Sequence, residues 1–172
     1  MIKKAVFVCS LLAILFSCNS DDDTPEPEPV NYEYTQEEKD AEIAWIESYI
    51  RQNEIEGMIK TESGLFYRID QKGDGLTPRI DDSVIFHFET TNPKTEEVLS
   101  ISNREDNPYG QPGDMRSFLK GVQEGFLLIN EGSIITMIVP SYLAYGKFGY
   151  FYDIPPETIL MFKMELNIVL RL

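Results

Sequence analysis

The chain has 172 residues, a formal net charge of −14 and a hydrophobic fraction of 42%. This length and apolar content indicate one domain with short additional segments. The acidic balance argues against a nucleic-acid partner, because binding along phosphates needs clustered Lys and Arg. Cys9, Cys18 and the single His87 provide neither a disulfide framework nor a metal site, so we expect no metal and no cofactor.

Residues 1–17 have the pattern of an export signal. Residues 1–4 are basic, and residues 5–16 are apolar but form too short a run to span a bilayer. The pair Ser17-Cys18 that follows looks like the lipobox of bacterial lipoproteins, in which the cysteine is acylated and becomes the mature N-terminus. We therefore interpret residues 1–17 as a lipoprotein signal peptide and Cys18 as the lipidation site. The alternative is an ordinary signal peptide with an incidental cysteine.

Residues 18–34 are predicted to be an acidic tether rich in Pro and Glu. The run Asp21-Asp22-Asp23 resembles the acidic signals that send some Bacteroidota lipoproteins to the outer face of the outer membrane. Alternating Pro and Glu at residues 25–29 stiffen the segment through polyproline geometry and self-repulsion. We expect an exported protein that is lipid-anchored to the outer membrane, and the sequence leaves periplasmic and outer-surface display open.

Residues 35–57 are predicted to form an N-terminal helical segment. Thr35-Gln36-Glu37-Glu38 matches a capping box, and Ile43, Ile46 and Ile50 follow at helical spacing. We expect a helix from about residue 36 to residue 53 with one apolar stripe. That stripe either packs on the main domain or forms a dimer seam with a second copy of the chain.

Residues 58–172 are predicted to be the main domain. A short strand at residues 64–69 leads into a glycine-containing turn. Val84, Phe86 and Phe88 then recur with period two, which places them on one face of the next strand. This part of the chain therefore indicates a sheet with an aromatic inner face.

A helix is predicted between the later strands. Leu119, Val122 and Phe126 lie at i, i+3 and i+7, so the helix presents one apolar face to the sheet. The apolar run at residues 134–139 is predicted to be a buried strand that ends at a proline.

The last third of the chain carries the most specific pattern. Tyr-Leu-Ala-Tyr-Gly at residues 142–146 precedes Ile-Pro-Pro-Glu-Thr-Ile-Leu at residues 154–160, and an alternating strand follows from Phe162. Together with the Lys-Gly-Val-Gln-Glu-Gly segment at residues 120–125, this pattern resembles the FKBP-type peptidyl-prolyl isomerases. The resemblance covers roughly residues 64–170. It implies an α+β fold, an antiparallel twisted β-sheet wrapped around a short α-helix, with the N-terminal helix as an extra element.

The resemblance also implies the residues of a proline-binding pocket. Tyr145 and Phe162 would be the catalytic residues, and the Tyr145 hydroxyl and the Leu119 backbone N–H would donate hydrogen bonds to the peptide. The substrate-binding residues implied in this way are Phe88, Leu99, Ser100, Tyr109, Phe118, Leu119, Val122, Ala144 and Ile154.

The chain departs from the family pattern on one side of this pocket. Leu99 and Ser100 occupy positions where the family has Phe and Asp, so the family carboxylate is absent at this position. Val122 stands where the family usually has Trp. A smaller floor either deepens the pocket or allows a neighbour such as Phe148 or Phe151 to fill it.

The expected activity is cis-trans isomerisation of X-Pro bonds in exported, proline-containing polypeptides. Such a catalyst needs no nucleophile, because rotation about the amide is limited by resonance and is favoured by an apolar site that excludes water. Two other readings stay open. One is an FKBP-like module that binds such segments without useful turnover, and the other is a structural surface lipoprotein.

Overall fold

The structure is a computed structural model that describes residues 32–171. The predicted signal peptide, the lipidation site Cys18 and the tether as far as residue 31 lie outside the described residues. Among residues 32–171, no helix is long and apolar enough to cross a membrane.

The described part contains two α-helices and seven β-strands. Helix α1 spans Gln36–Gln52 and helix α2 spans Lys120–Leu127. The strands are β1 (Ile59–Lys60), β2 (Phe66–Gln71), β3 (Ser83–Asn92), β4 (Glu97–Ile101), β5 (Gln111–Asp114), β6 (Ile134–Val139) and β7 (Leu160–Leu170).

All strand pairs are antiparallel, in the order β1-β2-β6-β7-β3-β4. The long strand β3 pairs with β5 through its first residues and with β4 through its last residues, so both short strands lie along one edge. A register shift between Ile85 and Phe86 interrupts the pairing of β3 with β7, as in a β-bulge. The predicted α+β fold, with an antiparallel sheet, a short helix and an added N-terminal helix, is confirmed.

Helix α2 covers one face of the sheet. Its buried side chains Val122 and Phe126 belong to the same core cluster as Met137 of β6 and Leu160 and Phe162 of β7. Alternate residues of a strand point to opposite faces, so the neighbouring positions in β6 and β7 face the other side of the sheet. The main core therefore lies between α2 and one face of the sheet.

Helix α1 covers the opposite face. Ile46 is completely buried and forms a second cluster with Phe66, Ile138 and Ile159. Thr35 begins the helix with the expected capping box, in which Glu38 N donates to Thr35 Oγ1 over 3.2 Å and Thr35 N donates to the Glu38 carboxylate over 2.7 Å. The apolar stripe of α1 thus packs on the sheet of its own chain, which is the first of the two arrangements that the sequence left open.

An ion pair joins the end of the chain to the loop before β3. The buried carboxylate of Asp82 accepts from Arg171 Nη2 over 3.0 Å and from the Arg79 backbone N–H over 2.9 Å. The hydrogen bond from Arg171, followed by that from Arg79, holds the pKa of Asp82 below its ordinary value of 3.8. The charged form is therefore favoured in the folded state.

The Asp82–Arg171 pair should make the stability of the protein depend on pH in the acid range. Because the pKa of Asp82 is lower in the folded state, its ionisation contributes to the free energy of unfolding. This contribution is fully present above pH 3.8 and is lost as the pH falls through the lower pKa of the folded state. Asp82→Asn is therefore expected to lower the urea midpoint at pH 7, with the difference from wild type shrinking well below pH 3.8. Asp74→Asn, at an exposed carboxylate without a partner among the described residues, is the control. A pH-independent difference for Asp82→Asn would contradict this account.

Candidate functional site

A cavity of about 490 Å³ opens between the sheet, the start of α2 and the loop that joins β6 to β7. We call that loop, residues 141–157, the flap. Among the described residues, sixteen side chains or backbone segments line the cavity, and most of them are apolar. Nine of the eleven residues implied by the family resemblance are among them: Phe88, Leu99, Ser100, Phe118, Leu119, Val122, Tyr145, Ile154 and Phe162.

The base of the cavity consists of buried side chains from three elements. Phe162 is 6% exposed in β7, and Val122 is 4% exposed in α2. The rings of Phe86 and Phe118 meet edge to face, with centroids 5.2 Å apart. Gly113 of β5 allows this close packing, because a Cβ atom there would lie 2.3 Å from Cζ of Phe118. The aromatic wall is therefore fixed by the core behind it.

The small floor residue leaves the cavity open. Phe148 and Phe151 are 66% and 83% exposed, so neither ring fills the space beside Val122. Of the two outcomes considered from the sequence, the structure therefore shows the open pocket.

Two hydrogen-bond donors face this site without partners in the described part of the chain. Tyr145 is half-buried in the flap, and no residue there accepts a hydrogen bond from its hydroxyl. Burial, and then the neighbouring Tyr150, raise the pKa of Tyr145, so the hydroxyl keeps its proton. The Leu119 backbone N–H precedes the first turn of α2 and is likewise unpaired within residues 32–171. Both groups are available to a ligand.

Two implied residues do not line the cavity. Tyr109 is 74% exposed, because a turn closed by Gly110 N and Asn107 O directs its ring outward. The Tyr109 carbonyl accepts instead from Asn167 Nδ2 over 2.8 Å, which ties this turn to β7. Ala144 is half-buried and packs against the main core rather than the cavity. Tyr109 and Ala144 therefore lie outside the walls of this cavity.

The structure adds lining residues that the sequence did not identify. They are Phe86, Thr90, Gln111, Ser117, Tyr150, Asp153 and Met164. Phe86 and Met164 carry a signal that could have found them, because each lies two residues from an implied site residue on the same strand face. The positions of Tyr150 and Asp153 at the cavity depend on the conformation of the flap. The flap sequence has no helical or strand periodicity from which that conformation could be predicted.

The start of α1 holds the flap through a set of hydrogen bonds. Ser141 is completely buried, and its backbone N–H donates to Glu42 Oε2 over 2.7 Å. The Ser141 hydroxyl donates to Glu42 Oε1 and accepts from the Tyr34 hydroxyl over 2.7 Å. Burial raises the pKa of Glu42. A carboxylate from α1 is thus built into the base of the flap.

A second contact lies further along the flap. Lys147 Nζ is 2.7 Å from Glu38 Oε1 and 3.1 Å from the carbonyl oxygen of Glu33. The ring of Tyr32 stacks on Phe148 with centroids 4.1 Å apart. The segment before the main domain therefore supports both ends of the stretch that carries Tyr145.

Within the described residues, no group of His, Cys, Asp or Glu side chains is arranged to hold a metal ion. His87 is buried, with Nδ1 3.1 Å from Ser102 Oγ and Nε2 3.3 Å from the Pro108 carbonyl oxygen. The cavity lining itself supplies apolar surface, aromatic rings, the two neutral donors and the carboxylate of Asp153.

An antiparallel sheet on a short helix, with an aromatic cavity under a flap, defines the FKBP class of folds. A family model for the FKBP-type peptidyl-prolyl cis-trans isomerases matches residues 75–167. The chain belongs to this family.

Curated relatives agree with this assignment. The FKBP-type peptidyl-prolyl cis-trans isomerase FkpA of Aeromonas hydrophila is 33% identical over 123 residues, covering 70% of this chain and 44% of that protein. FkpA of Escherichia coli (strain K12) is 34% identical over 113 residues, covering 63% of this chain and 39% of the relative. The chain spans less than half the length of these relatives.

Solved structures show the same fold. FkpA from Escherichia coli matches with a TM-score of 0.64 and 25% identity, covering 78% of this chain and 64% of that chain. A peptidyl-prolyl cis-trans isomerase from Pseudomonas syringae matches with a TM-score of 0.65 and 20% identity, covering 77% of this chain and 96% of that chain. At 20% identity the second likeness concerns the fold alone.

Proposed function

We propose that the protein is a peptidyl-prolyl cis-trans isomerase that acts on X-Pro bonds of exported polypeptides. The observation that carries the proposal is the cavity itself. It gathers nine residues at family spacing around one open apolar space, next to two unpaired donors. An FKBP family member with this cavity has the parts that the reaction requires.

Uncatalysed rotation about the peptide bond faces a barrier of about 18–20 kcal/mol that arises from amide resonance, and the isomerase must lower this barrier. At the twisted transition state the amide nitrogen loses its conjugation, and a less polar surrounding favours that state over the planar one. Phe162 and Val122 form a buried base for the proline ring, and Phe88 adds a further aromatic wall. The cavity therefore binds the ring while it removes water from the bond that rotates.

The unpaired donors would hold the carbonyl groups on either side of that bond. The Tyr145 hydroxyl comes from the flap, and the Leu119 N–H comes from the start of α2, so the two approach the peptide from different elements. Fixed donors favour the turn-like conformation of the twisted peptide without reorganising during the reaction. No covalent step and no metal enter this mechanism.

The place of action is proposed from the sequence. Residues 1–17 are interpreted as a lipoprotein signal peptide, Cys18 as the acylated residue, and residues 18–34 as a tether to the outer membrane. Stable anchoring needs more than one acyl chain. The partners would then be proline-containing polypeptides that have left the cytoplasm.

A binding module without useful turnover is the second candidate. The observation that favours it is Ser100, which lines the cavity where the family supplies a carboxylate. An isomerisation assay on the purified protein with an X-Pro peptide separates the two candidates. No acceleration by the wild type, together with measurable peptide binding, would support the binding module and end the isomerase proposal.

Tyr145→Phe tests the role of the flap donor. The variant keeps the ring and loses one hydrogen bond, which is typically worth about 0.5–1.5 kcal/mol, so kcat/KM should fall by up to about tenfold. Tyr49→Phe removes a half-buried hydroxyl from α1, outside the cavity, and should leave kcat/KM unchanged. Equal kcat/KM for Tyr145→Phe and wild type would exclude the hydroxyl from catalysis.

A further inference from the structure

The charge of the cavity comes from one residue in the flap. Of the sixteen lining residues, Asp153 alone carries a formal charge at pH 7. Asp153 is exposed, and its carboxylate has no hydrogen bond or ion pair with any residue between 32 and 171. A charged group is thus present at the mouth of the cavity and is free to bind a partner.

Backbone hydrogen bonds determine where this residue lies. Tyr150 N donates to Ile154 O over 2.8 Å, and Ile154 N and Asp153 N donate back to Tyr150 O over 3.1 and 3.2 Å. These bonds close a tight loop between two residues that both line the cavity. Asp153 is therefore held at the rim by the same turn that places Tyr150 and Ile154.

The loop also presents aromatic rings that the core does not use. Phe151 has a φ of 45°, a left-handed conformation that is unfavourable for a residue with a large side chain, and its ring is 83% exposed. Tyr152 is fully exposed beside it. Burial of these rings does not compensate for the strained backbone, which points to a role at the surface.

The rings form a path from the cavity to solvent. The centroids of Tyr145 and Tyr150 are 5.0 Å apart, and those of Tyr150 and Phe151 are 4.8 Å apart in an edge-to-face contact. Tyr145 and Tyr150 line the cavity, and Phe151 extends this row of rings to the exposed surface. The loop is thus continuous with the proposed proline-binding site.

We propose that Tyr150, Phe151 and Asp153 form a subsite for a basic side chain next to the proline of the bound polypeptide. Aromatic faces attract cations, and a guanidinium group also stacks on them while it pairs with a carboxylate. Rings alone would fit an apolar side chain, but the unpaired carboxylate and the net charge of −14 favour a cation. This inference rests on the proposed function, since it specifies which X-Pro segments the cavity prefers.

The test compares peptides with Arg or citrulline beside the proline. Citrulline has nearly the shape of arginine but no charge, so the ratio of their kcat/KM values isolates the charge. One peptide pair carries the residue before the proline and a second pair carries it after. NMR exchange measures the isomerisation rates without an auxiliary protease. For the wild type we expect arginine to be preferred about fivefold to tenfold in at least one pair.

Two variants assign that preference to Asp153. Asp153→Asn should reduce the Arg-to-citrulline ratio to about one, whereas Asp74→Asn removes an exposed charge outside the cavity and should preserve the ratio. Equal rates for arginine and citrulline in the wild type, or an Arg-to-citrulline ratio that survives in Asp153→Asn, would overturn the proposal.

A binding measurement separates this inference from the proposed function. If the wild type accelerates none of the peptides, the isomerase proposal fails, and calorimetry with the same peptide pairs then tests the subsite alone. Tighter binding of the arginine peptide that is lost in Asp153→Asn would still support the subsite. Equal binding of arginine and citrulline peptides would overturn it.

Discussion

Phe162→Ala is expected to abolish measurable isomerase activity and to lower the free energy of unfolding by about 3–5 kcal/mol. Phe162 is 6% exposed, pairs with Thr90 of β3 and Met137 of β6, and belongs both to the core and to the cavity. Removing its ring enlarges the cavity at its base, so the proline ring loses its main contact and water enters. Kinetic assays and urea unfolding of the same sample measure both effects.

A matched core variant distinguishes lost catalysis from lost stability. Leu166 lies on the same strand, is completely buried and does not line the cavity. Leu166→Ala should therefore destabilise the protein by a similar amount, about 2–5 kcal/mol, while the folded fraction keeps its kcat/KM. Phe162→Leu retains most of the apolar volume and covers the case in which the alanine variant does not fold. If activity per folded molecule fell equally in Phe162→Ala and Leu166→Ala, the pocket role of Phe162 would be wrong.

The fold could be predicted from the sequence because its signals are local. The capping box at Thr35 involves residues three positions apart, and both of its hydrogen bonds are present. The period-two pattern through Phe162, Met164 and Leu166 matches a strand whose inner face carries those three side chains. A pattern of this kind specifies an element and its buried face.

The packing partner of a buried face is not specified in the same way. The apolar stripe of α1 indicates only that one side of the helix is covered, so a dimer seam and a contact with the sheet give the same pattern. The structure shows the contact with the sheet through Ile46, Phe66 and Ile138. This contact forms only when the whole sheet is assembled, and the periodicity of the helix sequence alone does not reveal it.

Much of the cavity followed from family spacing, but its departures depend on loop conformation. The family resemblance implied that Tyr109 binds substrate, yet the turn at Gly110, with a φ of 98°, leaves its ring in solvent. The sequence did not indicate that Asp153 lies at the rim of the cavity, because this position follows from backbone hydrogen bonds within the flap. The structure thus shows a flap carboxylate at a cavity whose lining also includes Ser100 of β4.

The contacts between α1 and the flap were equally inaccessible from the sequence. Glu42 and Ser141 are 99 positions apart, and Glu38 and Lys147 are 109 positions apart. A glutamate on the predicted helix reads as a solvated charge, because acidic residues are common on exposed helix faces. Only the folded chain shows that Glu42 accepts two hydrogen bonds from a buried serine.

Glu42→Ala is expected to destabilise the protein by about 2–4 kcal/mol, because it leaves two donors of the fully buried Ser141 without an acceptor. The flap then loses its attachment to α1, and kcat/KM should fall about tenfold as Tyr145 becomes less well positioned. Glu42→Gln keeps an acceptor oxygen, so this variant should retain much of the wild-type stability and much of the wild-type kcat/KM. Glu47→Ala, which removes an exposed α1 carboxylate paired with Lys60 over 2.7 Å, should change stability by less than about 0.5 kcal/mol. Faster amide hydrogen exchange from Ser141 to Tyr145 in Glu42→Ala alone would locate the effect in the flap, whereas wild-type exchange and kcat/KM would show that Glu42 does not position it.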